Sequence, residues 1–187
     1  MIKIFTYKLF ITSLFFLTSC SSKDSLQSYF VNHQEESGFM SVDIPISFLS
    51  NGEIGFSEDQ IKAINTIDKL NVISYSIDDG NLDEFNFQLS SVKNILKSNT
   101  YNDLIRMGTG SGGKVKILYI ENNNTIDEII IFGYTLEMGF AIVRVLGNDM
   151  NLFQIMKLGS VIDQLDTQHS NIDSFMKYYF RFSILNY

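Results

Sequence analysis

Residues 114–146, KVKILYIENNNTIDEIIIFGYTLEMGFAIVRVL, contain the pattern from which the sheet is predicted. Short polar or glycine-containing segments separate its three apolar runs, which are Val115–Ile120, Ile126–Phe132 and Phe140–Leu146. Runs of this length, rich in isoleucine, valine and aromatic residues, are typical of β-strands, and connections this short join antiparallel neighbours. With a further run at Leu104–Met107, they predict an antiparallel meander.

Two helices are predicted before the meander. Ser57 and Gln60 have the spacing of a capping box, and apolar residues follow at helical intervals for about three turns. Those apolar residues are Ile61, Ile64, Ile67 and Leu70. A second helix is predicted over 83–97, and a last helical segment over 150–158. We therefore predict an α+β domain at residues 39–158, an antiparallel meander sheet with two or three helices packed on one face.

Two details of the strands bear on the shape of the sheet. Apolar and polar residues alternate through Val42, Ile44, Ile46 and Phe48, and Pro45 within this run favours an edge strand or a strand end. Later, Ile129–Ile131 are consecutive, so that strand has apolar side chains on both faces. Either both faces of the sheet are covered, or one exposes an apolar patch.

The N-terminal residues 1–20, MIKIFTYKLFITSLFFLTSC, have the organisation of a secretory signal. Lys3 and Lys8 make its start positive, and the apolar core that follows is shorter than the roughly 20 residues of a membrane span. Its end, Leu17–Cys20, resembles a bacterial lipobox, in which the thiol receives a diacylglyceryl group before cleavage. We therefore predict a lipoprotein signal peptide at residues 1–19 and lipidation of Cys20, the only cysteine of the chain.

The two ends of the mature chain flank the predicted domain. Residues 20–38 are mostly polar and are predicted to be a flexible tether, with room for a short helical piece around Tyr29 and Phe30. Residues 159–187 are predicted to be a helical, aromatic-rich tail that packs on the domain; the alternative is a docking surface for a partner or the membrane. The apolar positions of this tail include Val161, Leu165, Ile172, Phe175, Met176 and Tyr179.

Charge limits the classes of partner. The chain has 14 basic and 21 acidic residues, a net charge of −7. Cleavage before Cys20 removes Lys3 and Lys8, so 12 basic residues then face 21 acidic ones and the net charge becomes −9. Because such a surface repels phosphates and no basic stripe is present, we expect no nucleic acid partner and no attachment to anionic lipid by charge alone.

Two loops resemble ligand-binding motifs without completing them. Gly108–Lys114 has the glycine and lysine spacing of a phosphate-binding loop, but Val115 stands where a hydroxyl would hold magnesium, and a strand pattern follows. Asp79–Asp83 resembles the start of a calcium loop, but Glu84 and Ser90 stand where glycine and glutamate are required. We expect both to be turns, and no nucleotide to bind.

A catalytic constellation is not recognisable in the sequence. His33 and His169 are the only histidines, so a zinc site would need both of them together with carboxylates. Ser111 lacks the glycine frame of a hydrolase nucleophile. Asp127 and Glu128 are adjacent on a predicted strand and point to opposite faces. We expect no catalytic residue, metal or cofactor, although carboxylates brought together only by folding stay open as an alternative.

Several segments together resemble one protein family. They are Val42–Pro45, the isoleucine-spaced helix, Lys114–Ile120, Ile126–Ile131 and Gly147–Leu152 before a helix. Over roughly residues 39–158, the chain resembles the envelope lipoproteins labelled "domain of unknown function four-two-five-two", typical of Bacteroidetes-type bacteria. The resemblance implies an envelope location and an α+β fold. It implies no activity and no functional residue.

These observations predict a membrane-anchored lipoprotein of the bacterial cell envelope, at the outer membrane on its periplasmic side or on the cell surface. We expect it not to be an enzyme, but a binding, scaffolding or stress-linked accessory module. Its partners would be the membrane, through the lipid on Cys20, and a protein or other envelope component. The alternative is a hydrolase-like enzyme with a carboxylate site assembled only in the fold.

Overall fold

A computed structural model describes residues 25–47, 57–77, 81–108, 112–123, 125–153 and 155. The elements along the chain are α1 (Leu26–His33), β1 (Phe39–Pro45), α2 (Glu58–Ile64), β2 (Ile67–Ser76), α3 (Leu82–Ile95), β3 (Asn102–Gly108), β4 (Lys114–Asn122), β5 (Thr125–Thr135) and β6 (Gly139–Met150). The predicted signal peptide, the lipidation site Cys20 and the predicted tail at 159–187 lie outside the described residues.

All six strands belong to one antiparallel sheet, in the order β1-β2-β6-β5-β4-β3. The predicted meander is confirmed, because β3, β4, β5 and β6 are neighbours in chain order. Asn123, in the predicted turn between β4 and β5, has a left-handed φ of 51°, which asparagine tolerates better than most residues. β6 then pairs with β2, so the chain returns to the first half of the sheet through its last strand.

Helices α1 and α3 pack on the same face of the sheet, called here the helical face. The buried cluster beneath them contains Leu26, Tyr29 and Phe30 of α1, Phe85, Leu89 and Val92 of α3, and Ile73, Ile130, Phe132, Phe140 and Ile142 of the strands. Full burial of a large apolar side chain stabilises a fold by roughly 1.5–3 kcal/mol. This face therefore holds the main core, and the predicted α+β class with an antiparallel sheet is confirmed. Of the two helices predicted before the meander, α3 packs on this face, whereas α2 contributes to the opposite one.

The opposite face of the sheet is also apolar, as the consecutive isoleucines predicted. Ile130 points into the helical face, while Ile129 lies in a second buried cluster and Ile131 packs against that cluster. This second cluster includes Val143 of β6 and Ala63 of α2. Apolar side chains therefore line both faces of the sheet.

The helix predicted from the isoleucine spacing is shorter than expected. Its capping box is confirmed, since the amide of Ser57 donates to Gln60 and the hydroxyl of Ser57 accepts from the amide of Gln60. The prediction that it continues to Leu70 is wrong, because α2 ends at Ile64 and β2 begins at Ile67. The hydroxyl of Thr66 donates to the carbonyl of Ala63 at 2.8 Å, and Ile67 and Leu70 beyond it pair with β6.

The last predicted helix begins later than expected. β6 continues through Met150, and helical residues begin only at Leu152. Asn151 precedes these helical residues, and its side-chain oxygen accepts a hydrogen bond from the amide of Phe153 at 3.0 Å. Strand pairing of Met150 with Ile126 explains the difference.

The two edges of the sheet are β1 and β3. Pro45 ends β1, which confirms the predicted edge position. On β3, Asp103 is paired with Arg106 and with Lys116 of β4, and these partners hold the pKa of the Asp103 carboxyl below its usual range, with the Arg106 hydrogen bond as the main cause. Proline and charged residues at sheet edges disfavour pairing with another chain.

Candidate functional site

Residues 25–33, which begin five positions after the predicted lipidation site, are part of the folded domain. Ser25 caps α1, because its hydroxyl accepts a hydrogen bond from the amide of Ser28 at 3.1 Å. Leu26, Tyr29 and Phe30 are buried, at the spacing of one helix face. The short helical piece expected around Tyr29 and Phe30 is therefore confirmed as α1, and residues 26–33 are folded, because three apolar residues on one face pack into the core.

A buried ion pair lies beneath this helix. The Nε of Arg144 donates to Oε1 of Glu128 at 2.6 Å, and its Nη2 donates to Oε2 at 3.1 Å. The remaining Nη1 donates to the side-chain oxygen of Gln27 at 2.6 Å. Arg144 is 5% exposed and Glu128 is 8% exposed. The guanidinium therefore joins strands β5 and β6 to helix α1 through buried hydrogen bonds.

Two aromatic residues complete this junction. The guanidinium carbon of Arg144 lies 5.3 Å from the centre of the Phe30 ring, within the range of a cation–π contact. The hydroxyl of Tyr101 accepts a hydrogen bond from the amide of Leu26 at 3.4 Å, which satisfies one of the free amides at the start of the helix. Burial raises the pKa of the Tyr101 phenol. We call the set Gln27, Phe30, Tyr101, Glu128 and Arg144 the Arg144 cluster.

A second polar group ties α1 to α3. The Tyr29 hydroxyl donates to Oε1 of Gln88 at 2.8 Å, and Nε2 of Gln88 donates to Oε1 of Glu84 at 2.8 Å. Burial raises the pKa of Tyr29 far above its usual range, and the nearby acids Glu36 and Glu84 add to the effect. The His33 ring stacks on Tyr29 with ring centres 4.1 Å apart. His33 therefore packs in the fold on this side of α1.

The described ends of the two loops that resemble ligand-binding motifs belong to neighbouring strands and to a helix start. Gly108 and Lys114 pair as the last and first residues of β3 and β4, and a strand, not a helix, follows Lys114. At the other loop, the side chain of Asn81 caps α3 by accepting from the amide of Glu84 at 3.1 Å. Residues 78–80 and 109–111 lie outside the described residues, so both turn interpretations stay predictions.

The adjacent acids Asp127 and Glu128 have different partners, as their strand position predicted. Glu128 binds Arg144 on the helical face, whereas Asp127 accepts hydrogen bonds from Asn122 at 2.8 Å and Thr125 at 3.3 Å. Among the described residues, no three or more histidine, cysteine, aspartate or glutamate side chains come together as a possible metal site. None of the helices in the described ranges is both long and apolar enough to cross a membrane.

The Arg144 cluster was missed in the sequence, although a signal for it exists. Arg144 interrupts the run Phe140–Leu146, and Glu128 precedes three isoleucines. A single charge of each sign inside neighbouring apolar strands indicates a buried pair, because an isolated buried charge is strongly unfavourable. The third partner, Gln27, lies 117 positions away from Arg144 along the chain, and nothing local points to it.

No curated protein and no solved structure matches the chain. A family model described as "Domain of unknown function (DUF4252)" matches residues 29–158, which is more than half of the chain. The match begins inside α1, in agreement with the burial of Tyr29 and Phe30. It also covers every strand of the sheet. The chain therefore belongs to the DUF4252 family.

Proposed function

We propose that this protein is a lipid-anchored module of the bacterial cell envelope whose domain is held at the membrane surface, where it binds or scaffolds another envelope component. The observation that carries the proposal is the position of α1, which starts at Leu26, six positions after Cys20. An acylated Cys20 would thus be joined to a buried helix and not to a long flexible linker.

The short connection limits how far the domain can move from the membrane. A fully extended chain spans at most about 3.6 Å per residue, so Cys20 and Leu26 can be separated by roughly 20 Å. That is less than the thickness of the hydrocarbon core of a bilayer, about 30 Å. The start of α1 would thus be held within this distance of the lipid.

The lipid itself would supply the attachment. The mature chain, with 12 basic and 21 acidic residues, is repelled by anionic headgroups. Each acyl methylene buried in the membrane contributes about 0.8 kcal/mol, so two or more chains on Cys20 anchor the protein firmly. Location at the outer membrane, on the periplasmic side or on the cell surface, is part of this proposal.

The buried polar groups of the helical face have structural partners. The carboxylate of Glu128 accepts two hydrogen bonds from Arg144, and Gln88 is held between Tyr29 and Glu84. These contacts hold α1 against the sheet and against α3. These contacts support a structural use of the buried charges.

The test of the anchor compares the natural chain with Cys20→Ala and with Ser21→Ala as the matched control. In cells fed radiolabelled palmitate, the natural chain and the control should carry label and sediment with membranes. The Cys20→Ala chain should carry no label and leave the membrane fraction. Equal labelling of all three chains, or labelling of none, would contradict the proposal.

The binding role is tested by chemical cross-linking of the anchored protein in intact cells, followed by its purification. A binding module should be recovered with the same defined partner from repeated cultures, and the Cys20→Ala chain should lose that partner. A purified protein that hydrolyses envelope material, and stops doing so when one carboxylate is replaced, would instead establish the hydrolase-like alternative.

A further inference from the structure

The face of the sheet opposite α1 and α3 has an uninterrupted row of apolar residues that crosses all six strands. Strand register places each member opposite the next, in the order Val42, Val72, Val143, Ile131, Ile117 and Ile105. We call this set the apolar row. With neighbouring strands about 4.8 Å apart, the row is about 24 Å long.

The neighbouring residues extend this apolar surface. One row further, Ile44, Leu70, Val145, Ile129 and Tyr119 are also opposite one another. Side chains of both rows take part in the second buried cluster, and others only pack against it and stay half-buried, among them Ile117, Tyr119 and Ile131. A continuous apolar area that spans a whole sheet normally has a partner.

The described helices cover this face only in part. α1 and α3 pack on the helical face, and α2 contributes Ala63 to the second cluster from a helix of seven residues. The last described residues of the chain lie on this same face of the sheet. Ile155 is 8% exposed and belongs to the same cluster, and Leu152 packs against it.

We propose that the C-terminal segment 159–182 of the same chain docks on the apolar row. Thirty-two residues follow Ile155, and their apolar positions recur at helical spacing from Val161 to Tyr179. A helix between those two residues would be about 27 Å long, enough to cross the row. Phe175 and Met176 would then provide large apolar side chains for the half-buried isoleucines.

Covalent connection favours this occupant over a second copy of the chain. A short linker gives a tethered segment an effective concentration in the millimolar range, well above that of a separate envelope protein. A membrane surface is the less suitable occupant, because segment 159–182 has three aspartates against Lys177 and Arg181 and gains nothing from anionic lipid.

The experiment uses the full-length chain with Cys20→Ser, so that two introduced cysteines are the only thiols. Ile117→Cys is combined in turn with Val161→Cys, Leu165→Cys, Phe175→Cys and Tyr179→Cys, and each pair is treated with a short bismaleimide. The matched control replaces Ile117→Cys by Lys116→Cys, because Lys116 points to the helical face, where it contacts Asp103 at 3.5 Å. Circular dichroism checks the fold, and Ile131→Cys replaces Ile117→Cys if that chain does not fold.

We expect at least one pair on the apolar row to cross-link within one chain several-fold faster than its Lys116 control. Equal yields at both sheet positions, or cross-links only between two chains, would overturn the proposal. A second readout uses Phe175→Trp, the only tryptophan the chain would then have. Its emission should be that of a buried indole and should not change with phosphatidylcholine vesicles, whereas a shift on vesicle addition would assign the segment to the membrane and overturn docking on the sheet.

Discussion

Arg144 and Glu128 lie diagonally across neighbouring strands on the helical face, since Arg144 is opposite Ile130 and Glu128 is opposite Leu146. This offset lets the guanidinium bind both carboxylate oxygens and still reach Gln27 on α1. A buried charge with a good partner is tolerated, but removal of one partner leaves the other uncompensated. The pair therefore makes the docking of α1 depend on the two central strands β5 and β6.

Arg144→Leu is expected to lower the free energy of unfolding by about 3–5 kcal/mol, because the Glu128 carboxylate then stays buried without a cation. Urea denaturation followed by circular dichroism measures the change. The double variant Arg144→Leu/Glu128→Leu should recover most of the loss, since no buried charge remains. If Arg144→Leu alone lowers the free energy of unfolding by less than about 1 kcal/mol, the buried Glu128 carboxylate does not depend on Arg144 as its counter-charge.

The position of α1 in the core gives a second prediction with its control in the same helix. Leu26 is 1% exposed and Val31 is 54% exposed. Leu26→Ala should lower the free energy of unfolding by about 2–5 kcal/mol, while Val31→Ala should change it by less than about 0.5 kcal/mol. Denaturation midpoints of the two variants compare them directly. Equal, small effects would mean that α1 is not part of the domain.

Residues with a local pattern were predicted from the sequence, and those that depend on distant contacts were not. The strands of 114–146 alternate or run apolar over their whole length, and the capping box of Ser57 and Gln60 is read from four residues. At α1 only a short helical piece within a tether was predicted, because only Leu26, Tyr29 and Phe30 mark its apolar face among polar neighbours. Their burial is decided by partners on α3 and the sheet.

At the end of α2, the apolar residues fit both the spacing of a helix and the spacing of a strand. Ile61, Ile64 and Ile67 fit a helix, but Ile67 also starts a strand in which alternating residues pair with β6. Tertiary pairing decided the outcome, because β2 lies between β1 and β6 and its apolar residues contribute to both faces. The Arg144 cluster was missed for the same reason, since its members come from separate elements.

A close contact at Gly147 gives a third prediction. A Cβ added to Gly147 would lie 2.0 Å from the carbonyl oxygen of Thr66, where α2 meets β2. Gly147→Ala is therefore expected to destabilise the protein by more than about 2 kcal/mol, through displacement of backbone. Gly133→Ala is the control, because its nearest neighbour would be a Val115 methyl group at 3.7 Å. If thermal unfolding gives Gly147→Ala and Gly133→Ala the same melting temperature, the close contact at Gly147 is contradicted.

The Tyr29 phenol predicts a loss of stability in alkali. Its pKa is raised in the folded protein, mainly by burial, so the neutral form is favoured by folding and the stabilisation is present below the unfolded value of about 10. As the pH rises from about 10 towards the higher folded pKa, the unfolded chain loses this proton first, and stability falls by up to about 1.4 kcal/mol per pH unit for this group. Urea unfolding at pH 8 and pH 11 measures this fall in the free energy of unfolding.

Tyr29→Phe is the matched variant for that measurement. It should lower stability at pH 8 by about 1–3 kcal/mol, because Gln88 loses its buried donor. It should also lose less stability between the two pH values than the natural chain, although Tyr75 and Tyr101, whose pKa values are raised as well, keep part of the dependence. An identical pH dependence in both proteins would exclude Tyr29 as a source.

The central claim is that a lipid on Cys20 holds a domain whose first helix starts at Leu26. Mass spectrometry of the N-terminal peptide, taken from protein purified from the membrane fraction, tests it most directly. The peptide should begin at Cys20 and have the additional mass of a diacylglyceryl group on sulfur. A membrane-bound protein that begins at Met1, or one whose Cys20 has no acyl chains, would contradict it.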